Sequence, residues 1–186
     1  GDNAGTYFWF GGTNSGYGKT WAHEIIYYPT SNEFEMEIGP YFSYYEGKFD
    51  VCPMFGSWMN LTTGKTDYLL PQLYFYSTND KFYAELWNMY YHGITAETKD
   101  YPIFYGRYFF TYQVLEWLSI GPQMEFNLNL ADDAHKEEDE DTLSDLSIGG
   151  YFSWPYGENN TMSAFIGVDT KNDNKAVCRF TFVRYF

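Results

Sequence analysis

From Leu118 to Leu130 the even positions read Leu118, Ile120, Pro122, Met124, Phe126, Leu128 and Leu130, and the odd positions read Ser119, Gly121, Gln123, Glu125, Asn127 and Asn129. One face is apolar and the other small or polar, a period of two that only extended chain can hold. At ~3.3 Å per residue such a run reaches about 43 Å, well beyond the ordinary strand of ~5–6 residues. The pattern recurs from Glu33 to Tyr45, where Phe34, Met36, Ile38, Pro40, Phe42 and Tyr44 alternate with Glu33, Glu35, Glu37, Gly39, Tyr41, Ser43 and Tyr45.

Further segments near 5–12, 19–28, 48–59, 66–77, 81–91, 101–112, 145–157, 160–170 and 175–186 carry the same signal, the first two with poorer alternation. Turn residues separate them at Pro29–Asn32, Glu46–Gly47, Thr62–Lys65, Asn79–Asp80, Gly157–Asn160 and Asn172–Asn174. Short connections between long strands predict one all-β domain over 1–186, an antiparallel up-and-down meander with no helix. Aromatic residues, 23% of the chain, favour the same outcome, because rings sit well on a pleated surface.

One segment departs from the pattern. Ala131 to Asp145 holds eight acidic residues against one Lys, and its like charges predict a solvated loop over 131–145. A divalent-cation site is the sharper reading, but the segment lacks the Gly and ligand spacing of a calcium loop.

The charge balance excludes several classes. A formal net charge of −14 leaves no basic footprint for nucleic acid or for anionic lipid. Mean hydropathy of −0.46 and the lack of an 18-residue apolar run exclude a transmembrane helix. The start of the chain shows no signal-peptide pattern, as expected of a mature or cytosolic protein. Two cysteines cannot build a disulfide scaffold or a zinc site. Cys52 shares register with the polar face and Cys178 with Phe180 and Phe182, so no disulfide is expected.

Long amphipathic strands fit two settings: a soluble lipocalin-like barrel with apolar faces inward, or a membrane barrel with apolar faces on lipid. Strand length meets the ~9–11 residues that span a bilayer. Rings also gather toward segment ends, as at Tyr27–Tyr28, Tyr74–Tyr76 and Phe180–Phe186, where membrane barrels carry aromatic girdles. The expected fold is therefore a transmembrane β-barrel of 12 strands, with 10 as the alternative, because eleven candidate segments do not give the even count of such barrels. Against it stand Pro40, Pro53, Pro71 and Pro122, each removing a ladder donor; bulges at one rim are the expected remedy.

The ending Arg179-Phe180-Thr181-Phe182-Val183-Arg184-Tyr185-Phe186 resembles the C-terminal strand of bacterial outer-membrane barrels, although Arg184 stands where that family usually has an apolar or aromatic residue. The resemblance implies the bacterial outer membrane as location, with the lipid bilayer and the outer-membrane assembly machinery as partners. The segment Glu33-Phe34-Glu35-Met36-Glu37-Ile38-Gly39-Pro40-Tyr41-Phe42-Ser43 is similar to one strand of the nucleoside-specific (Tsx-like) channels. That likeness implies nucleoside-like solutes, and no binding residue is carried across from it.

With lipid on the apolar faces, the candidate solute path is lined by Glu33, Glu35, Glu37, Tyr41, Tyr45, Tyr68, Gln72, Tyr74, Tyr83, Glu85, Trp87, Tyr105, Arg107, Gln123, Glu125 and Asn127, joined by Tyr76, Tyr101 and Asn129. Rings that stack, hydroxyls that exchange hydrogen bonds and an excess of carboxylates suit a passive channel for small neutral or cationic solutes. The competing expectation is an interior plugged by these same side chains, with Arg107 and Arg179 paired to Glu, in a structural or adhesive barrel. No catalytic residue, metal ligand or cofactor is assigned: His23, His92 and His135 show no catalytic spacing, and stacked glutamates on a strand read as interior polarity.

Overall fold

A computed structural model describes residues 5–16, 18–132, 142–158 and 160–184. Among them there is no helix, and eleven strands follow in chain order: β1 (Phe8–Gly16), β2 (Lys19–Tyr28), β3 (Glu33–Tyr44), β4 (Phe49–Asn60), β5 (Lys65–Asn79), β6 (Phe82–Gly93), β7 (Ile103–Leu115), β8 (Leu118–Asn129), β9 (Leu143–Pro155), β10 (Asn160–Asp169) and β11 (Lys175–Arg184). Each strand pairs antiparallel with the next, giving one sheet in the order β1 to β11. The two poorly alternating segments at the start are both strands. Twelve strands were expected, with ten as the alternative; the described residues form eleven.

The acidic loop is shorter than expected at its C-terminal end. Leu143 already opens β9, pairing with Leu128, and beyond a register shift Leu146 and Ile148 continue the apolar row opposite Phe126 and Met124. Residues 133–141, which hold most of the acidic run and His135, lie outside the described residues, as do Tyr185 and Phe186 of the C-terminal signature.

Connections divide by rim. One rim has short ones at 17–18, 45–48, 80–81, 116–117 and 156–159; the other carries 29–32, 61–64, 170–174 and the two longest, 94–102 and 130–142. Left-handed backbone at Asn32, Tyr45, Glu46, Gly47, Asp80, Asp173 and Asn174 closes the tight turns.

The sheet is curled, which side-chain reach establishes. A flat sheet would hold β2 and β5 three spacings of about 4.8 Å apart. Yet Gln72 Nε2 on β5 donates to Glu24 Oε1 on β2 at 2.6 Å, and Arg179 on β11 reaches Glu125 on β8 at 2.6 Å. Close backbone approach makes part of that bend. A Cβ at Gly39 would fall on the Pro53 carbonyl, and one at Gly149 on the Ile166 carbonyl of the next strand.

The prolines sit differently from expectation. The β3–β4 ladder lapses from Gly39 to Tyr41, opposite Cys52 to Met54, and resumes in the same register. Pro40 and Pro53 share this lapse, Pro71 lies in a second one between β5 and β6, and Pro122 in a third between β7 and β8. No bulge accompanies them; the register shifts fall at Trp58/Met59, Gln113/Leu115 and Asn127/Leu128, near strand ends. Each missing donor thus falls where the ladder is already open.

On β3 the polarity is reversed relative to a water-soluble fold, while other strands also bury Ile26, Met54, Leu70 and Met89 on the concave face. On β3, Glu35 is 0% and Glu37 1% exposed, whereas Met36 is 52% and Ile38 59% exposed. Cross-strand pairing carries this division around the sheet, so that Met54, Gln72, Met89 and Tyr105 share the concave face, and Phe55, Leu73, Asn88 and Phe104 the convex one. The convex faces of β3, β4 and β6 to β10 carry no Asp, Glu, Lys or Arg.

Candidate functional site: the polar interior

The concave face collects nearly all of the expected interior residues. Glu33, Glu35, Glu37 and Tyr41 come from β3; Tyr68, Gln72, Tyr74 and Tyr76 from β5; Tyr83, Glu85 and Trp87 from β6; Tyr105 and Arg107 from β7; Gln123, Glu125, Asn127 and Asn129 from β8. Two expectations fail. Tyr45 belongs to the turn after β3 and is 81% exposed, because its left-handed backbone ends the alternation one residue early. Tyr101 lies in the 94–102 connection ahead of β7 and is exposed.

Glu24 is the hub of one half of this face. It accepts hydrogen bonds from Trp9 Nε1 at 2.8 Å, from Gln72 Nε2 at 2.6 Å and from the Tyr74 hydroxyl at 3.1 Å. Gln72 Oε1 in turn accepts from Trp87 Nε1 at 2.8 Å, fixing the amide orientation. The carboxylate ties β1, β2 and β5 together, and the Gln72 amide extends the link to β6. The rings of Tyr74 and Trp87 stack at 5.2 Å, and Arg107 lies 4.8 Å over Trp87.

The other half is built on ion pairs. Arg107 Nη2 donates to Glu85 Oε1 at 2.7 Å, and the Tyr83 hydroxyl to the second oxygen at 3.0 Å. Arg179 grips Glu125 with both terminal nitrogens, at 2.6 and 3.0 Å, while the Tyr105 hydroxyl donates to Glu125 at 2.9 Å. Such planar two-point pairing is the strongest ion-pair geometry available to a side chain. Asn127 donates to Asp145 at 3.0 Å nearer the long-connection rim.

A third group is not compensated. Glu37 lies opposite Glu24 on the β2–β3 ladder, and Glu35 opposite Ile26. Glu35 accepts one hydrogen bond, from the Tyr28 hydroxyl at 3.0 Å, while its Oε2 and both oxygens of Glu37 are buried without a partner. Above these carboxylates, toward the long-connection rim, Tyr28 stacks on Trp58 at 5.1 Å, and Tyr91 meets Trp58 and Tyr68 edge-on at 5.7 and 5.8 Å.

Sequence reasoning passed over Glu24, Tyr28, Trp58 and Tyr91. β2 carries apolar residues on both faces (Trp21 and Ile25 against Ala22 and Ile26), which conceals the side on which Glu24 lies. β4 turns Gly56, Met54 and Cys52 inward, so its polar face is barely polar. The two cysteines are free, Cys52 buried on the concave face and Cys178 exposed on the convex one.

No protein-family model, curated protein or solved structure matches this chain. Its likenesses to outer-membrane barrels and to nucleoside channels therefore rest on the residues quoted above.

Proposed function

We propose that this chain is a transmembrane β-barrel of the bacterial outer-membrane type, closed along its interior by its own side chains and serving a structural or adhesive role. The observation that carries the reading is the reversed polarity of β3, with carboxylates sealed inside and Met36 and Ile38 bare outside. In water, the bare apolar row costs free energy; against hydrocarbon it is favourable, and carboxylates are then better placed inside than on the lipid face. Unequal rims support it, since such barrels have short turns on the periplasmic side and longer loops outside. β1 and β11 run in the same direction, so antiparallel closure would need one strand more than the eleven described.

A second reading is favoured by a specific observation. Glu24, Glu33, Glu35 and Glu37 crowd β2 and β3, and the concave face of β2 to β6 sets only Lys65, at the exposed start of β5, against them, the charge pattern of a passage for small cationic or neutral solutes. Under this reading Tyr74, Gln72 and Trp87 are a constriction that must move.

Planar-bilayer recording separates the two. The closed barrel gives no single-channel steps until Trp87→Ala and Tyr74→Ala are introduced together, when cation-selective steps appear. Steps from the unmodified protein would replace the closed barrel with the conducting one.

A further inference from the structure

We infer that the short-connection rim binds the head group of a zwitterionic phospholipid bearing a primary ammonium. The site is a hollow where the β3–β4 turn meets the end of β5, lined by Tyr45, Glu46, Lys48, Phe49, Ser77 and Asn79. The inference deepens the membrane-barrel reading above and rests on it.

A gap in a row of rings marks the place. On the convex face at this rim, the Phe49 ring lies 6.4 Å from Tyr44 and 6.3 Å from Phe75, and Phe82 lies 6.2 Å from Phe110. Between Phe49 and Phe82 the row is broken, because β5 sets Ser77 opposite Phe49 and Asn79 opposite Phe82. In a membrane barrel, rings at this level mark the boundary between hydrocarbon and head groups. Two small polar side chains in their place leave a hollow of about 630 Å³, walled on one side by Phe49.

The hollow carries one charge of each sign. The Lys48 backbone is fixed, its N–H donating to the Tyr45 carbonyl at 3.3 Å and its carbonyl accepting from the Thr78 N–H at 3.0 Å. Among the described residues neither the Lys48 ammonium nor the Glu46 carboxylate enters an ion pair. Lys binds phosphate as a point charge, and a carboxylate beside it takes an ammonium. An anionic head group would answer Lys48 but leave Glu46 facing like charge. The turn itself is strained: Tyr45 and Glu46 both hold left-handed backbone, with φ of 52° and 60°, a costly conformation for a bulky residue. That backbone stands the Tyr45 ring off the sheet, 81% exposed, against the hollow. A lipid seated by its phosphate would lay its acyl chains along the convex row of Phe49, Val51 and Phe75, which a free phosphate would not use.

The test uses the full chain in dodecyl maltoside micelles. Only the compact, heat-modifiable form is used, so failure of the barrel itself shows on the gel before lipid is added. Native mass spectrometry follows titration with dimyristoyl phosphatidylethanolamine, with the phosphatidylglycerol of the same chains, and with dimyristoylglycerol, which has the chains but no phosphate. Saturable binding of phosphatidylethanolamine is expected, roughly tenfold tighter than either of the others. Lys48→Gln removes the cation and Ser77→Phe fills the gap with a ring; each weakens binding by about the same factor. Glu46→Gln abolishes the preference over phosphatidylglycerol, whereas Lys99→Gln, in the 94–102 connection at the opposite rim, changes nothing. Absence of saturable binding, equal binding of phosphatidylglycerol or dimyristoylglycerol, indifference to both Lys48→Gln and Ser77→Phe, or an equal loss with Lys99→Gln would overturn the site.

Discussion

Glu24 and Glu37 stand directly opposite each other on the β2–β3 ladder, both buried on the concave face. Like charges across a ladder oppose folding, and the two residues are treated differently by their surroundings. Glu24 receives donors from Trp9, Gln72 and Tyr74, while Glu37 receives none. The pair therefore places a satisfied structural carboxylate beside an unsatisfied one.

Gln72 is the test of the structural half. Gln72→Leu preserves volume but removes the shortest donor to Glu24 and the acceptor for Trp87 Nε1. Trp87 Nε1 is stranded and Glu24 is left with Trp9 and Tyr74 as donors, and a loss of about 1–3 kcal/mol is expected. Urea titration of the heat-modifiable band in micelles measures it; a loss well under 1 kcal/mol would show the relay to be incidental.

The Arg179–Glu125 pair ties β11 to β8 across the interior. Arg179→Met leaves a mostly buried carboxylate with only neutral donors and should cost about 3 kcal/mol. Adding Glu125→Gln should restore much of that loss, because the uncompensated charge is gone. A double-mutant cycle with a coupling near zero would contradict the assignment.

Glycine spacing makes a sharper stability prediction. At Gly39 a Cβ meets the Pro53 carbonyl, backbone that cannot step aside, so Gly39→Ala should destabilise by at least the ~1–3 kcal/mol of an overpacked core. At Gly12 the nearest obstacle is a His23 ring atom at 3.9 Å, and Gly12→Ala should be tolerated. Refolding yields of the two variants, compared side by side, give the answer.

Ile38, 59% exposed in the middle of β3, is a residue at which the two environments disagree. On a water-facing surface, Ile38→Arg would be neutral or favourable. On a lipid-facing strand near mid-bilayer it costs about 2–4 kcal/mol. Folding free energy in phospholipid vesicles distinguishes these outcomes.

The sequence made the sheet legible because eleven segments alternate and their turns carry Gly, Asn and Asp where left-handed backbone is needed. Turn chemistry held further information. The 29–32 turn centres a hairpin in which Glu24 falls opposite Glu37, a pairing that counting outward from the turn would have revealed. Trp58 and Tyr91 were less accessible, because their grouping depends on ladder register across β4, β5 and β6 rather than on any local pattern. Tyr45 misled for a local reason: its ring continues the alternation, but its backbone has already turned. The prolines misled in another way. Sequence shows a lost donor, and only the ladder shows that Pro40 and Pro53 lose theirs in the same gap.

Cys178 offers the most direct measurement of whether the apolar rows face hydrocarbon. It is exposed on the convex face beside Phe180 and Phe182, whereas the other cysteine, Cys52, is buried inside, so a thiol-reactive bimane labels one position in the unaltered protein. In reconstituted vesicles the label should be quenched by brominated acyl chains and shielded from aqueous iodide. Quenching by iodide with no response to brominated lipid, in a protein that stays monodisperse in plain buffer, would contradict the account.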